Sequence, residues 1–439
     1  MEKIQAKYKK ETEKLKRNLP SHLNNFEKNR TWDDIKPWLH RLEEVIQENQ
    51  TPFIPYKLLI AKRLAQCLNP KWPPGIHENA LQLYSLIFNS MKMFEEVQDQ
   101  NFDGKAEYLK ELATNLPIFS IGLFPFYQFA SSQNKKKLID IYYTFYFPLK
   151  HQLIPCLPGL LVGILPGMEE TAEDLQKKSF KFINDLQESV GPSHFYGVLW
   201  MSILRVNKIR NAGLKFLTKI LKQKQKIQQS MSIDTSKQDD DDEQAPESMG
   251  QHLDSQSSGS GNQSNNNQEN QQQQQSLEDI NKNNRTNSNS VNESAVFSKQ
   301  IFDIDNEDPS VKYPNKQGLL LNALLISLED SNQQVKRNVL DLMNISFPIA
   351  NQEGTTSLLS DNEITLLVQG CLKLYAKKEH ATQRRIDKWF FGATDEERSQ
   401  KDYTPEIQRH IIKAVVTIID DTTENCISHK QLVIWHIHQ

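Results

Sequence analysis

Cysteine is scarce in this 439-residue chain: Cys67, Cys156, Cys371 and Cys426 stand far apart and form no CxxC pair. A disulfide scaffold is thereby excluded, and a reducing compartment is the simpler reading. Long apolar runs are scarce too. A bilayer span needs about 20 apolar residues, whereas the best stretch, 153–168, is short and carries Pro155, Pro158 and Pro166. We therefore expect no integral membrane protein, which leaves adsorption to a membrane surface open. Met1-Glu2-Lys3-Ile4 offers no apolar core for a signal peptide. Strand signals are equally thin, with no sustained two-residue alternation and no Asn-Gly hairpin.

The motifs of common catalysts are missing as well. There is no Walker lysine loop, no GxGxxG after a strand and no GxSxG elbow. His77-Glu78 opens like the HExxH of a metalloprotease, but Leu81 stands where the second histidine belongs. Cys426, His429, His436 and His438 supply zinc-type ligands, yet at no usual finger spacing, and surface or packing roles account for them better. We expect no catalytic residues, no metal and no cofactor; an enzyme with an unrecognised site is the remaining alternative.

What the chain does contain divides it. Hydrophobic residues make up 37%, below the 45–50% or so of globular chains, so part of the chain should not pack. No aromatic residue occurs between Phe216 and Phe297, and Asn and Gln fill 19 of the 40 positions from 251 to 290. Such a stretch buries too little apolar surface to offset its ordering entropy. The expected organisation is a helical block at 1–222, a disordered acidic Asn/Gln/Ser-rich insertion at 223–310, and a continuation of the helical block at 311–439. Net charge is −3, but 231–310 holds 16 acidic and 4 basic side chains, so the remaining residues carry +9. That is mildly basic, which suits an acidic partner or an anionic membrane face and is too dilute for nucleic acid.

The packing parts read as helices. Over 56–68, Leu58, Leu59, Ala61, Leu64, Ala65 and Leu68 are expected along one face, ended by Asn69-Pro70 and turned by Pro73-Pro74-Gly75. One apolar pattern then recurs: Ile76 with Ala80, Leu81 and Leu83; Leu175 with Ser179, Phe180 and Phe182; Ile209 with Gly213, Leu214 and Phe216; Val335 with Val339, Leu340 and Leu342. Stacked pairs of about 40–47 residues are HEAT or armadillo units, each burying its inner face against its neighbours. The expected fold is all-α, a HEAT/armadillo-like α-solenoid of helix pairs interrupted by a long disordered Asn/Gln-rich loop; an irregular bundle has the same periodicity.

Two features are candidates for contact with a partner or membrane. The helix expected over 2–19 carries Lys3, Lys7, Lys10, Lys14 and Arg17 around a narrow stripe of Ile4, Tyr8, Leu15 and Leu19. Such a helix lies on anionic lipid or packs as the first helix of the stack, the latter being favoured. The Pro/Gly-rich stretch 122–168 concentrates rings, among them Phe124, Phe126, Tyr143 and Tyr146. Aromatic density of this kind marks a partner groove or, as favoured here, fills the core between short helices.

At these same positions the chain resembles the N-terminal domain of the Dopey family. The resemblance rests on Lys62-Arg63-Leu64-Ala65-Gln66-Cys67-Leu68 with Gly75-Ile76-His77; on Gly122-Leu123-Phe124-Pro125; on Gly159-Leu160-Leu161-Val162-Gly163-Ile164-Leu165-Pro166-Gly167-Met168-Glu169-Glu170; on Leu199-Trp200 with Ser202; and on Asp330-Ser331-Asn332 followed by Val335, Arg337 and Leu340-Asp341-Leu342. The resemblance implies a cytosolic scaffold, peripheral on trans-Golgi network and endosome membranes, acting in protein transport between Golgi and endosomes. It implies as partners a large Arf-exchange-factor-related protein, a phospholipid flippase or kinesin, and an anionic phosphoinositide membrane. No catalytic residues come with it. Family members are far longer and carry C-terminal leucine-rich segments, so functions residing there do not transfer to these residues. The Asn/Gln-rich insertion is also unlike the family's usual domain; a loop between helix pairs lengthens at modest entropic cost.

Overall fold

The computed structural model describes residues 2–97, 102–238, 318–347, 359–392 and 405–421, with 301 and 349 besides. Every regular element among them is a helix. The chain divides into two compact units, 1–220 with 300–439, and 221–299. The helix stack belongs to the first. Cys426, His429, His436 and His438, read as surface or packing residues, and residues 239–300 of the insertion lie outside the described residues.

The helices are α1 (Glu2–Lys7), α2 (Lys9–Asn25), α3 (Trp32–Glu48), α4 (Lys57–Cys67), α5 (Pro74–Lys92), α6 (Gly104–Phe126), α7 (Ser132–Ile141), α8 (Leu157–Ile164), α9 (Glu173–Val190), α10 (Pro192–Arg205) and α11 (Asn207–Gln238), then α12 (Leu319–Leu328), α13 (Gln333–Ser346), α14 (Asp361–Tyr375), α15 (His380–Phe391) and α16 (Pro405–Asp421). Local chemistry fixes the ends. Pro74 and Pro192 occupy first turns, where a missing N–H costs nothing. Ser360 and Glu363 close a capping box on α14, and Asn332 caps α13. Helix α11 runs to Gln238, past the boundary expected at 222.

These helices form two rows. In one, α2, α4, α6, α8, α10, α12, α14 and α16 each pack on the next. In the other, α3, α5, α7 and α9 follow one another, and α13 packs on α15. Phe180 of α9 meets Phe216 of α11, and Asn338 of α13 reaches Asn211 of α11, which continues that row. The rows are joined pairwise, as in α2–α3, α4–α5, α9–α10, α12–α13 and α14–α15. This is an all-α solenoid of helix pairs. The recurring apolar series all fall on the second row, on α5, α9, α11 and α13, and only Phe180 among them is less than fully buried.

Several polar contacts between successive pairs span the same number of residues. Tyr143 donates to Asp185, Ser189 to the Phe147 carbonyl, Arg337 to Glu379 and Trp389 Nε1 to the Phe347 carbonyl, each across 42 residues. Two more cross the second unit. Arg210 binds Asp330 over a separation of 120, and Asn338 donates to Asn211 over 127. Removing the 79 residues of 221–299 leaves 41 and 48. The helices on either side of the interruption therefore pack as successive pairs. Trp200 adds a third tie by donating Nε1 to the Ile301 carbonyl at 2.9 Å.

Arg210 and Asp330 are both buried. The guanidinium also donates Nε to the Ile203 carbonyl at 2.9 Å, satisfying the open C-terminus of α10. Asp330 in turn accepts from the Asn332 amide at 2.8 Å, which shapes the α12–α13 turn. Beside Arg210, Asn211 accepts from Asn338 and donates to Glu169, so one side chain touches three successive repeats.

The α4–α5 turn is tied differently. Trp72 Nε1 donates to the Gln66 carbonyl at 3.0 Å, and His77 Nε2 lies 2.9 Å from the Asn69 carbonyl with its ring edge-on to Phe126. His77 is buried, and burial lowers its pKa below the ordinary imidazole value. Tyr127, by contrast, binds Ser179 in the core between α6 and α9.

Replacing Asp330 with Ala leaves Arg210 charged and buried without its partner. The expected loss is about 3–5 kcal/mol, read as a lower melting temperature; an unchanged melt would mean the tie contributes nothing. The buried imidazoles add a pH dependence. An unfolded His77 protonates near 6.5 while the folded one resists, so its contribution is complete above that pH and is lost as pH falls through it. Melting temperature should drop between about pH 7 and 5, and the drop should be shallower in His77→Gln.

Candidate interaction surface

The basic N-terminal segment forms two helices that break at Tyr8. Ile4, Tyr8, Leu15 and Leu19 are all buried, so the apolar stripe is spent on packing. Lys7, Lys10, Lys14 and Arg17 are exposed. Lys7 rests over the Tyr8 ring, and Arg17 donates to the Glu13 carbonyl. The side chain of Lys3 lies outside the described residues. The helices thus offer charge to a surface but no apolar face to insert.

The aromatic candidates separate. Phe126 and Tyr146 are fully buried and have no surface to give a partner, which corrects their assignment as contact residues. Tyr146 bonds Ser120 at 2.8 Å and stacks edge-on with Tyr142. Phe124 is half-buried between Tyr142, Tyr146 and α8. A Cβ on Gly159 would lie 2.6 Å from the Phe124 ring, and one on Gly163 would lie 2.6 Å from the Phe124 carbonyl oxygen. Gly159 and Gly163 are therefore one packing contact, α8 against Phe124 of α6, whereas a Cβ on Gly122 would meet Ala65 and one on Gly167 would meet Ser179 and Tyr127. Tyr143 is half-buried and donates to Asp185 at 2.8 Å. The run 132–169, long and apolar enough to cross a bilayer by composition, is not one straight helix: it breaks at Lys150, with φ 49° and ψ −123°.

The lysine-rich segment 135–137 is likewise occupied. Lys135 pairs with Glu170, Lys136 with Asp174 and Lys137 with Glu78, while Lys178 returns to Asp140. With Arg337–Glu379 and Arg385–Asp341, these give the second row a surface of matched charges.

The first row presents a different surface. Leu58 on α4, Ile121 on α6, Ile326 on α12, Leu366 on α14, and Ile412 and Val416 on α16 are exposed. In the second row, only Trp32 in the first turn of α3 is a large exposed apolar side chain among the described residues. Leu58 corrects the expected α4 face, which is instead Ile60, Ala61, Leu64 and Cys67. The signal was in the sequence: Leu58-Leu59-Ile60 and Leu324-Leu325-Ile326 are consecutive apolar residues. At about 100° per residue they cannot all face one core.

Among the described residues no three His, Cys, Asp or Glu side chains gather as metal ligands. Burial pushes the Cys67, Cys156 and Cys371 thiols up, opposite to the direction that makes a thiolate nucleophile.

Comparison with known proteins gives the family. The pattern described as "Dopey, N-terminal" matches residues 9–395. The chain is 26% identical to the "Protein DOP1 homolog" of Drosophila melanogaster over 377 residues, covering 86% of this chain and 11% of that protein. It is 35% identical to "Protein DOP1B" of Mus musculus over 189 residues, 43% of this chain and 8% of that one. It is 23% identical to "Protein DOP1" of Saccharomyces cerevisiae over 394 residues, 87% and 20%. The chain spans no more than a fifth of these relatives. The match runs from α2 to α15 and includes the insertion between them, and the chain belongs to the Dopey family through its N-terminal domain.

Proposed function

We propose that this chain is a non-catalytic scaffold in protein transport and vesicle traffic between Golgi and endosomes. It works by protein–protein contacts and sits in the cytosol, peripheral on trans-Golgi network and endosome membranes. The observation that carries the reading is where exposed aliphatic side chains fall: they recur on the first row from α4 to α16, and among the described residues the second row has none of that size. A row of separated apolar anchors on rigid helices is a surface for binding, since each anchor gains when a partner removes it from water. Family membership supports a large Arf-exchange-factor-related protein as the partner, with a phospholipid flippase or kinesin as further ones.

Ile326→Glu with Leu366→Glu tests the reading. Both positions are exposed, so the melting temperature should hold, the cost staying within about 0.5 kcal/mol. Co-purification of the exchange-factor relative with the full chain should fall several-fold. Undiminished recovery, or recovery of soluble metabolic enzymes alone, would count against the scaffold.

A second reading is direct contact with anionic or phosphoinositide membrane, favoured by the exposed Lys7, Lys10, Lys14 and Arg17. With the apolar stripe buried, such contact is adsorption at about 1 kcal/mol per cation, screened over roughly 10 Å at 0.1 M salt. Vesicle co-sedimentation should weaken with salt and be lost when these four are reversed to Glu; equal binding by the reversed chain would remove the helices from membrane contact.

A further inference from the structure

We infer that the groove between α4 and α6 seats one helix of a partner protein, apolar on its inner face and acidic along its flank. The inference rests on the scaffold reading and specifies one docking place within it. The groove has a volume of about 670 Å³ and is walled by Leu58, Ala65, Ile118 and Ile121, with Lys62 between them and Gln66 toward one end. Leu58 and Ile121 are the most exposed large apolar side chains among the described residues, at 70% and 71%.

Its floor is built for close approach. A Cβ on Gly122 would lie 2.9 Å from the Ala65 Cβ, so the two helices touch there, backbone to backbone. Small residues keep the floor continuous, while Leu58 and Ile121 stand up beside it. From Leu58 to Cys67 the α4 wall rises about 14 Å at 1.5 Å per residue, between two and three turns of a guest helix. Anchors at i, i+3 or i+4 and i+7 are the pattern by which amphipathic helices enter such grooves.

Charge selects the guest's flank. No carboxylate lines the groove. Lys57 and Arg63, on the same helix, are committed to Glu111 and Glu27. Lys62 is exposed and has no ion-pair partner among the described residues. A guest carboxylate supplies the missing one. A bilayer fits less well. The aliphatic side chains line a concavity that a flat surface does not enter, and the lining holds none of the Trp or Phe typical of interfacial helices.

The test pans a phage library of helix-forming peptides, about 16 residues long, against the full chain. Enriched peptides should carry aliphatics at i, i+3 or i+4 and i+7 and be net acidic. A synthetic copy, followed by fluorescence anisotropy, should bind about tenfold more weakly to Leu58→Asp or Ile121→Asp, and more weakly to Lys62→Glu. Ile326→Glu should bind it as the unaltered chain does. Melting curves of each variant confirm folding. No enrichment, enrichment of basic peptides, or binding indifferent to Leu58→Asp and Ile121→Asp would overturn the inference. So would loss of phosphatidylcholine–phosphatidylserine vesicle binding in Ile121→Asp without any peptide enriched, which would give the groove to a membrane. Failure here with the Ile326 and Leu366 effect intact would leave the scaffold standing.

Discussion

A helix pair in this stack cannot bury its own apolar faces; it depends on the pair before and the pair after. The contact most exposed to failure is therefore where the chain departs for 221–299 and must resume against the same neighbours. Arg210 and Asn211 hold that place. Arg210 finishes α10, grips Asp330 and so sets the turn from which α13 starts; Asn211 spans from Glu169 to Asn338. Burying a guanidinium and a carboxylate is costly unless each finds the other. The cost favours an arrangement in which the two charges meet over one that leaves either alone.

The two rows divide labour. Residues that face between rows are large and apolar, and the rings from α5, α6 and the stretch after α7 interlock edge to face, as Phe88 does with Phe119. On the outward side of the second row, several charges from α5 to α15 pair across successive helices. The outward side of the first row leaves aliphatic side chains and Lys62 unsettled. Surface ion pairs are each worth little to stability, and on the second row they stand where large aliphatic side chains are not exposed. Recognition is thereby concentrated on the other side.

Fold class was legible because it follows from periodicity. The Ile76, Leu175, Ile209 and Val335 series are core positions, and their common row accounts for their likeness. The family was legible in the glycine-rich blocks, though the reason for them was not. Gly163 matters because the Phe124 carbonyl lies against it, a contact between segments some forty residues apart. Contact residues were the least legible. Composition marks Phe126 and Tyr146 as sticky but carries no information on which side of a helix meets a neighbour, and both are buried. Leu58 reads as core by the same blindness and is exposed. Exposure is set by which helices flank α4, and that is a long-range fact.

The contacts that bridge 221–299 in sequence have a consequence for the covalent chain. The ties from Trp200 to Ile301, Arg210 to Asp330 and Asn211 to Asn338 hold the two stretches side by side without using the peptide bonds between 239 and 300. A protease cut there would sever the polypeptide while the halves stay docked, so the stack would persist as a noncovalent heterodimer of its own fragments.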